Sequence, residues 1–235
     1  PIQLHRQTLR RIFNSTSFDE GGRFYGAWWQ NIPSAYRAFI TIDGKFTDEF
    51  DYGRLHPTIL YAKRGLTLSE DAYDIGVSKG DEHRDVIKQL FNAMVHMKEP
   101  QDSPPRDVKF SQTGKTWKQL RSLIIEKHEP IRGDFFCGEG NKLQFEDSKI
   151  AEKVMLHFAK QDIPVLPVHD SFIIIRGLWD ELLGVMKAEF EKEYHVPITI
   201  GVKELMVGNE LKEGDLVEQV VTHMAEFDSW WRRNP

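Results

Sequence analysis

Two aspartates stand where short β-forming runs stop. Asp51 falls at the end of the run Lys45 to Tyr52. Asp170 lies in the trio His169-Asp170-Ser171, between Val165-Leu166-Pro167-Val168 and Phe172-Ile173-Ile174-Ile175. Carboxylates on neighbouring strands can hold two divalent cations ~3.5–4 Å apart, the arrangement that serves an in-line phosphoryl displacement. Magnesium suits carboxylate, carbonyl and water ligands, and manganese is the alternative occupant of such oxygens. Far away in sequence, Arg84 and Lys88 put two cations on consecutive turns of one helix, which suits a polyphosphate. Each signal has a plain counterpart. Asp and Ser are turn formers, so a hairpin tip accounts for Asp170 and Ser171 without chemistry. Arg-x-x-x-Lys equally describes a solvated helix face.

Two other motifs are excluded. Gly114-Lys115-Thr116 resembles the end of a phosphate-binding loop, but no glycine stands five residues before Gly114, where that loop needs one. His169, Asp170 and Ser171 are not a hydrolase triad, because adjacent side chains of a strand point to opposite faces.

The elements that must position these residues follow from periodicity. Leu4 to Phe13 reads as a basic amphipathic helix with Arg6, Arg10 and Arg11 in solvent, closed by Asn14-Ser15-Thr16-Ser17. After Gly21-Gly22, strands are expected over Arg23 to Trp29 and Arg37 to Ile42. Asp43-Gly44 marks a hairpin turn into Lys45 to Tyr52. A helix over Gly53 to Arg64 tolerates Pro57 in its first turn and stops at Gly65. Asp51 is thereby set at a strand-to-helix junction. Gly80 to Lys98 is a helix with Val86, Leu90, Met94 and Met97 as its buried stripe and Ile87 and Phe91 beside it. Pro100 to Arg106 is a loop. Helices follow over Thr116 to His128, Phe145 to Gln161, Trp179 to Tyr194 and Leu216 to Trp231, with a strand over Pro197 to Val202. Strands, then helices, then strands, then helices is the order of an α+β fold. A mainly antiparallel sheet covered by helices on one face is expected.

The 235 residues suffice for one substantial domain, or one with a small subdomain. Cys137 is the single cysteine, which rules out an internal disulfide and favours a reducing compartment. No apolar run is long enough to span a membrane, and the first residues lack a signal peptide's apolar core. A cytoplasmic protein, phage- or plasmid-encoded proteins included, is the expectation. The net charge of −5 argues against a uniformly basic nucleic-acid coat but leaves room for a local basic groove.

The order of the pieces is more specific than any one of them. Gly22-Arg23, Gln30-Asn31-Ile32-Pro33, Arg37-Ala38-Phe39-Ile40, Asp51-Tyr52, Arg84-x-x-x-Lys88 and Val168-His169-Asp170 follow one another. That succession resembles the family A DNA polymerases, the bacterial DNA polymerase I group. Val196 to Val202 is similar to the family's last palm strand, so the likeness runs from about Gly21 to Val202. The resemblance implies an antiparallel palm sheet and a reduced helical fingers subdomain. It implies a template-directed nucleotidyltransferase that adds nucleotides to a primer 3′ end with two magnesium ions. Asp51 and Asp170 would bind the metals, with the backbone carbonyl of Tyr52 assisting. Lys88 would act at the reacting phosphate, and Arg84 and Lys88 would meet the nucleotide triphosphate. Phe91, Asn92 and His96 would lie near the nascent base pair. Arg23, Gln30, Asn31, Arg37 and His169 would contact primer or template. The implied partners are template-primer DNA, nucleoside triphosphates and other replication proteins or domains of a longer chain.

The departures matter as much. The family's Asp-Tyr-Ser-Gln-Ile-Glu is Asp51-Tyr52-Gly53-Arg54-Leu55-His56 here, so His56 replaces the glutamate that restricts the sugar 2′ position. His96 stands where the family's fingers helix reaches a tyrosine. His169-Asp170-Ser171 matches phage-type single-subunit RNA polymerases, which share the palm and the Arg-x-x-x-Lys helix. A primase-like or RNA-polymerase activity is therefore the alternative, and a non-catalytic relic that binds nucleic acid is the alternative of another class. The expected organisation is a helical segment over 1–20, palm over 21–66 and 143–204, reduced fingers over 67–142 and a helical extension over 205–235. The short intervals and the start at Pro1 fit either a palm-fingers part of a longer protein or a minimal polymerase.

Overall fold

The computed structural model describes residues 3–14, 16–77, 81–106 and 108–202. The chain folds as α+β around an antiparallel sheet. Strand β3 (Thr41–Ile42) and strand β4 (Lys45–Tyr52) form a hairpin at Asp43-Gly44. Both turn residues have positive φ, 52° and 72°, as the tight turn matched to strand twist requires, and glycine takes the second without a Cβ clash. β4 next pairs with β6 (Ser171–Ile175), and β6 with β5 (Val165–Val168), giving the order β3-β4-β6-β5. A last strand, β7 (Ile200–Val202), pairs with the end of β4 on its other side.

The two faces of this sheet differ. Phe50 and Tyr52 of β4 and Phe172 and Ile174 of β6 enter the large apolar core. They pack there with helices α2 (Leu55–Ala62), α3 (Asp81–His96), α4 (Trp117–Lys127), α5 (Gly140–Ala159) and α6 (Trp179–Tyr194). The opposite face carries Thr47, Glu49 and Asp51 by strand alternation. It is covered by a small cluster of Ala27, Trp29, Ile40, Val168 and Ile173.

Several expected elements coincide with the observed ones. The expected helix over Trp179 to Tyr194 and the strand over Lys45 to Tyr52 match residue for residue. α4 is closed at its start by a capping box in which Thr116 and Gln119 bond reciprocally. α5 begins at Gly140, five residues before the expected Phe145. A Cβ on Gly140 would collide with the His96 ring at the end of α3, so only glycine lets these two helices meet there.

Other expectations need correction. Leu4 to Phe13 is not a helix: Arg10–Phe13 is strand β1, paired antiparallel with β2 (Gly21–Tyr25). The pairing wins because Arg11 is not a solvated residue. Its guanidinium donates to the Gly22 carbonyl at 2.8 Å, to Ser148 Oγ at 2.8 Å and to Glu152 at 3.2 Å, which ties the hairpin to α5. The strand expected over Arg37 to Ile42 is a helical turn, α1 (Ser34–Arg37), and only Thr41–Ile42 pair as strand. β2 ends at Tyr25, short of the expected Trp29, and Trp28–Gln30 form a 3-10 turn. The helix expected over Leu216 to Trp231, the extension over 205–235 and Gly80 lie outside the described residues. Among the described residues, no helix is long and apolar enough to cross a membrane.

Candidate active site

Strand pairing brings the two aspartates together. Asp51 is the register partner of Ser171 on β6, and the N–H of Tyr52 donates to the Asp170 carbonyl at 3.3 Å. Asp170 sits at the tip of the β5–β6 hairpin beside His169, whose φ is +60°. Left-handed backbone is costly for a residue with a Cβ and is tolerated at tips of this kind. On its other side, Asp51 faces Gly201 of β7. Its cross-strand neighbours are thus a serine and a glycine. Tyr52 points the other way, into the core, and its hydroxyl donates to the Met186 carbonyl at 2.6 Å. Burial, with some help from Glu189, raises that phenol far above its usual range. The Tyr52 side chain is therefore on the opposite face of β4 from Asp51.

Asp51 and Asp170 bring carboxylates to the end of β4 and the β5–β6 tip, and hard oxygens of this kind are the donors magnesium takes. Among the described residues, no group of three or more His, Cys, Asp or Glu is placed to hold a metal ion. Magnesium is usually held by one or two carboxylates, with waters and substrate phosphates completing the shell.

Arg84, on the first turns of α3, is half-exposed. Its Nε donates to Asp71 Oδ2 at 2.7 Å and its second nitrogen to Asp71 Oδ1 at 3.1 Å, while its guanidinium lies 5.1 Å from the Tyr73 ring centroid. The Tyr73 ring itself packs against Phe91 of α3. Burial raises the Tyr73 pKa first. Arg84 pulls the value down, Asp71 and Asp170 push it up, and Arg54 lowers it slightly. Tyr73 thus feels charge from both Arg84 and Asp170. Lys88 is exposed one turn further along α3.

Arg23, His56 and Asp147 form a second cluster. Asp147, on α5, has a wholly buried side chain. Arg23 Nε donates to both its oxygens at 3.0 and 3.1 Å, a second Arg23 nitrogen bonds Oδ2, and His56 Nε2 donates to Oδ2 at 3.0 Å. Burial alone would lower the Arg23 pKa; the bond to Asp147 and its charge, with a smaller pull from Asp170, raise it instead. A third cluster lies on the Glu49 face of the sheet. Ser171 Oγ donates to Glu49 Oε1 at 2.6 Å, and Arg37 Nε donates to Glu49 Oε2 at 3.0 Å.

These placements sort the expected residues. Asp51, Tyr52, Asp170 and His169 converge at one end of the sheet, with Arg23 and His56 beside them. His96 is exposed; its Nδ1 donates to the Asn92 carbonyl at 2.8 Å, and Gln144 bonds its other nitrogen at 3.2 Å. Phe91 is fully buried and packs edge-on against Tyr73, His128 and Phe135, so its ring belongs to the core. Arg37 is mostly buried and ion-paired with Glu49. Gln30 and Asn31 are engaged internally: Gln30 donates to the Phe24 and Pro167 carbonyls at 2.9 and 3.0 Å, and Asn31 to Ala27 at 2.9 Å. These bonds fix the segment that covers the β5 edge.

Sequence reasoning missed Asp147, Glu49 and Asp71. Asp147 had a readable signal. It falls on the buried stripe Leu143, Asp147, Ile150, Ala151, Val154 and Phe158 of α5, where a carboxylate must have a cationic partner. Glu49 alternates with Thr47 and Asp51 as if on an exposed polar face. Asp71 lies in a connecting segment with no pattern to mark it.

No protein-family model matches the chain, and no curated protein matches it. Among solved structures it is similar to the POL domain of Pol1 from M. smegmatis, described in complex with DNA primer-template and dNTP. The identity is 14%, the match covers 81% of this chain and 46% of that one, and the TM-score is 0.49. The chain thus spans about half of that structure's length.

Proposed function

We propose that this chain is a template-directed nucleotidyltransferase, a compact DNA polymerase of the DNA polymerase I type that extends a primer 3′ end. The observation that carries the reading is the meeting of Asp51, near the end of β4, with the β5–β6 hairpin tip that carries Asp170. Two carboxylates at one end of a rigid sheet, with cations brought to them by Arg84 and Lys88, would suit a reaction that concentrates negative charge on a transferring phosphoryl group. Asp51, Asp170 and the Tyr52 carbonyl would hold magnesium, which when bound supplies activation of the attacking hydroxyl and neutralisation of the phosphate charge. Arg84 and Lys88 would bind the triphosphate of the incoming nucleotide. Asn92 and His96 would lie toward the templating base, His56 toward the sugar and His169 toward the primer end. Template-primer DNA and nucleoside triphosphates are the partners that follow.

An RNA-polymerase or primase activity rests on one local observation. His56 takes the position of an acidic sugar-restricting residue and is itself held by Asp147. Ser171, the other residue whose motif position favours that alternative, has its side chain buried and bonded to Glu49.

Primer extension with dNTPs and with NTPs tests both readings. Extension with dNTPs in magnesium is expected, falling by on the order of 10²–10³ or more in Asp170→Ala, with template-primer binding largely retained. Equal or better use of NTPs would overturn the DNA reading. Full activity of Asp170→Ala would overturn the two-metal reading altogether.

A further inference from the structure

The cation assigned to the triphosphate already has an anion in its grip. Asp71 meets Arg84 through both carboxylate oxygens, at 2.7 and 3.1 Å, in the parallel two-bond geometry that a phosphate group would also use. The carboxylate is held in place by its own turn. Asp71 Oδ1 also accepts the Tyr73 N–H at 3.1 Å, and the next residue, Ala72, is fully buried with its carbonyl bonded by His128 Nε2 at 2.7 Å. Both side chains of the pair are a little over one-third exposed, 37% for Arg84 and 36% for Asp71. The bond is thus within reach of a solute and is not locked in the core.

We propose that Asp71 is an internal competitor for the nucleotide: it occupies Arg84 in the unliganded protein and must be displaced by the incoming triphosphate. This rests on the reading of Arg84 as a triphosphate ligand. Asp71 then sets nucleotide affinity without touching nucleotide. Its carboxylate keeps Arg84 aimed while the site is empty. It also raises the threshold for weak anions: one phosphate must outcompete two good hydrogen bonds, whereas a triphosphate brings further charge to Lys88.

Calorimetric titration with inorganic tripolyphosphate tests this on the intact chain, independently of catalysis. Asp71→Asn keeps the acceptor for the Tyr73 N–H and removes the charge. It should bind tripolyphosphate about two- to fivefold more tightly than the parent, the range expected for a half-exposed pair. Asp71→Ser, which also keeps a turn acceptor, should do the same and covers the case of an Asn variant that folds poorly. Arg84→Ala should bind more weakly, and the double variant Asp71→Asn with Arg84→Ala should match Arg84→Ala alone. Unchanged or weaker binding in both Asp71 variants, with Arg84→Ala still weakened, overturns the competitor and leaves the triphosphate ligand standing. Unchanged binding in Arg84→Ala overturns the ligand assignment, and the competitor with it.

Discussion

The structure holds two arginine–aspartate pairs near the candidate site, and they are built for different ends. In Arg23–Asp147 the carboxylate is wholly buried, three hydrogen bonds converge on it from Arg23 and a fourth comes from His56. In Arg84–Asp71 the geometry is equally bidentate, but solvent reaches both partners. The same chemistry gives a fixed brace in one place and an exchangeable contact in the other, because burial decides what separation costs. Parting the first pair strands a charge in an apolar interior. Parting the second hands both ions to water, so the loss is small.

The largest effect that tests this contrast is Asp147→Ala. It leaves Arg23 buried and unpaired and should cost about 3–5 kcal/mol in chemical denaturation. Asp71→Ala should cost less than about 1 kcal/mol. Similar losses for the two would break the comparison. Phe91→Ala belongs near the large end as well. The buried ring should cost about 3–5 kcal/mol of stability while tripolyphosphate affinity stays unchanged; an affinity loss without a stability loss would return Phe91 to the nucleotide. Ser171→Ala should be intermediate, about 1–3 kcal/mol, since Glu49 loses a donor it cannot replace from water. It should leave the preference between dNTPs and NTPs unaltered.

The smallest effect is one of pH, and it separates the segment around Asp71 from its side chain. His128 is held neutral: Nε2 donates to Ala72, and Nδ1 faces the Tyr61 hydroxyl at 3.1 Å. Burial lowers its pKa, Lys127 lowers it further, and the Ala72 bond only partly offsets this. Just below the ordinary histidine range, near 6.5, the unfolded chain binds the proton that the folded chain refuses. Stability should therefore decline as pH falls from about 6.5, and His128→Gln should flatten that slope. Asp71 acts lower. Burial raises its pKa, but the bonds from Arg84 and the Tyr73 N–H, with the charges of Arg84 and Arg54, bring it below the usual value. Its contribution is present above the ordinary carboxylate range and is lost only as pH falls through the depressed value. A single acid transition that His128→Gln does not alter would contradict this ordering.

How far the sequence foretold these features depends on how local their causes are. β4, α6 and the Asp43-Gly44 turn were legible because alternation, helical period and positive-φ turn residues act over a few neighbours. The Leu4 to Phe13 segment was not, since its strand is fixed by Arg11 reaching α5, 137 residues away at Ser148. The convergence of Asp51 and Asp170 was expected only through the order of motifs; spacing by itself left a plain hairpin tip open. Arg23 and Arg37 were assigned to primer or template through the resemblance, and nothing local announces a buried Asp147 or Glu49 as their partners. Asp71 had no signal at all, as its meaning comes from a helix that begins ten residues later.

The burial of Ala72, with its carbonyl held by His128, also has a consequence in time. The two residues after Asp71 are anchored: Ala72 is 0% and Tyr73 3% exposed. Freeing Arg84 requires no loop to lift and only a turn of one short, half-exposed side chain about its own bonds. Motions of that kind take picoseconds to nanoseconds, against microseconds to milliseconds for a moving lid. The contact between Asp71 and Arg84 would therefore shape how tightly an anion is held, and leave the pace of its arrival to diffusion.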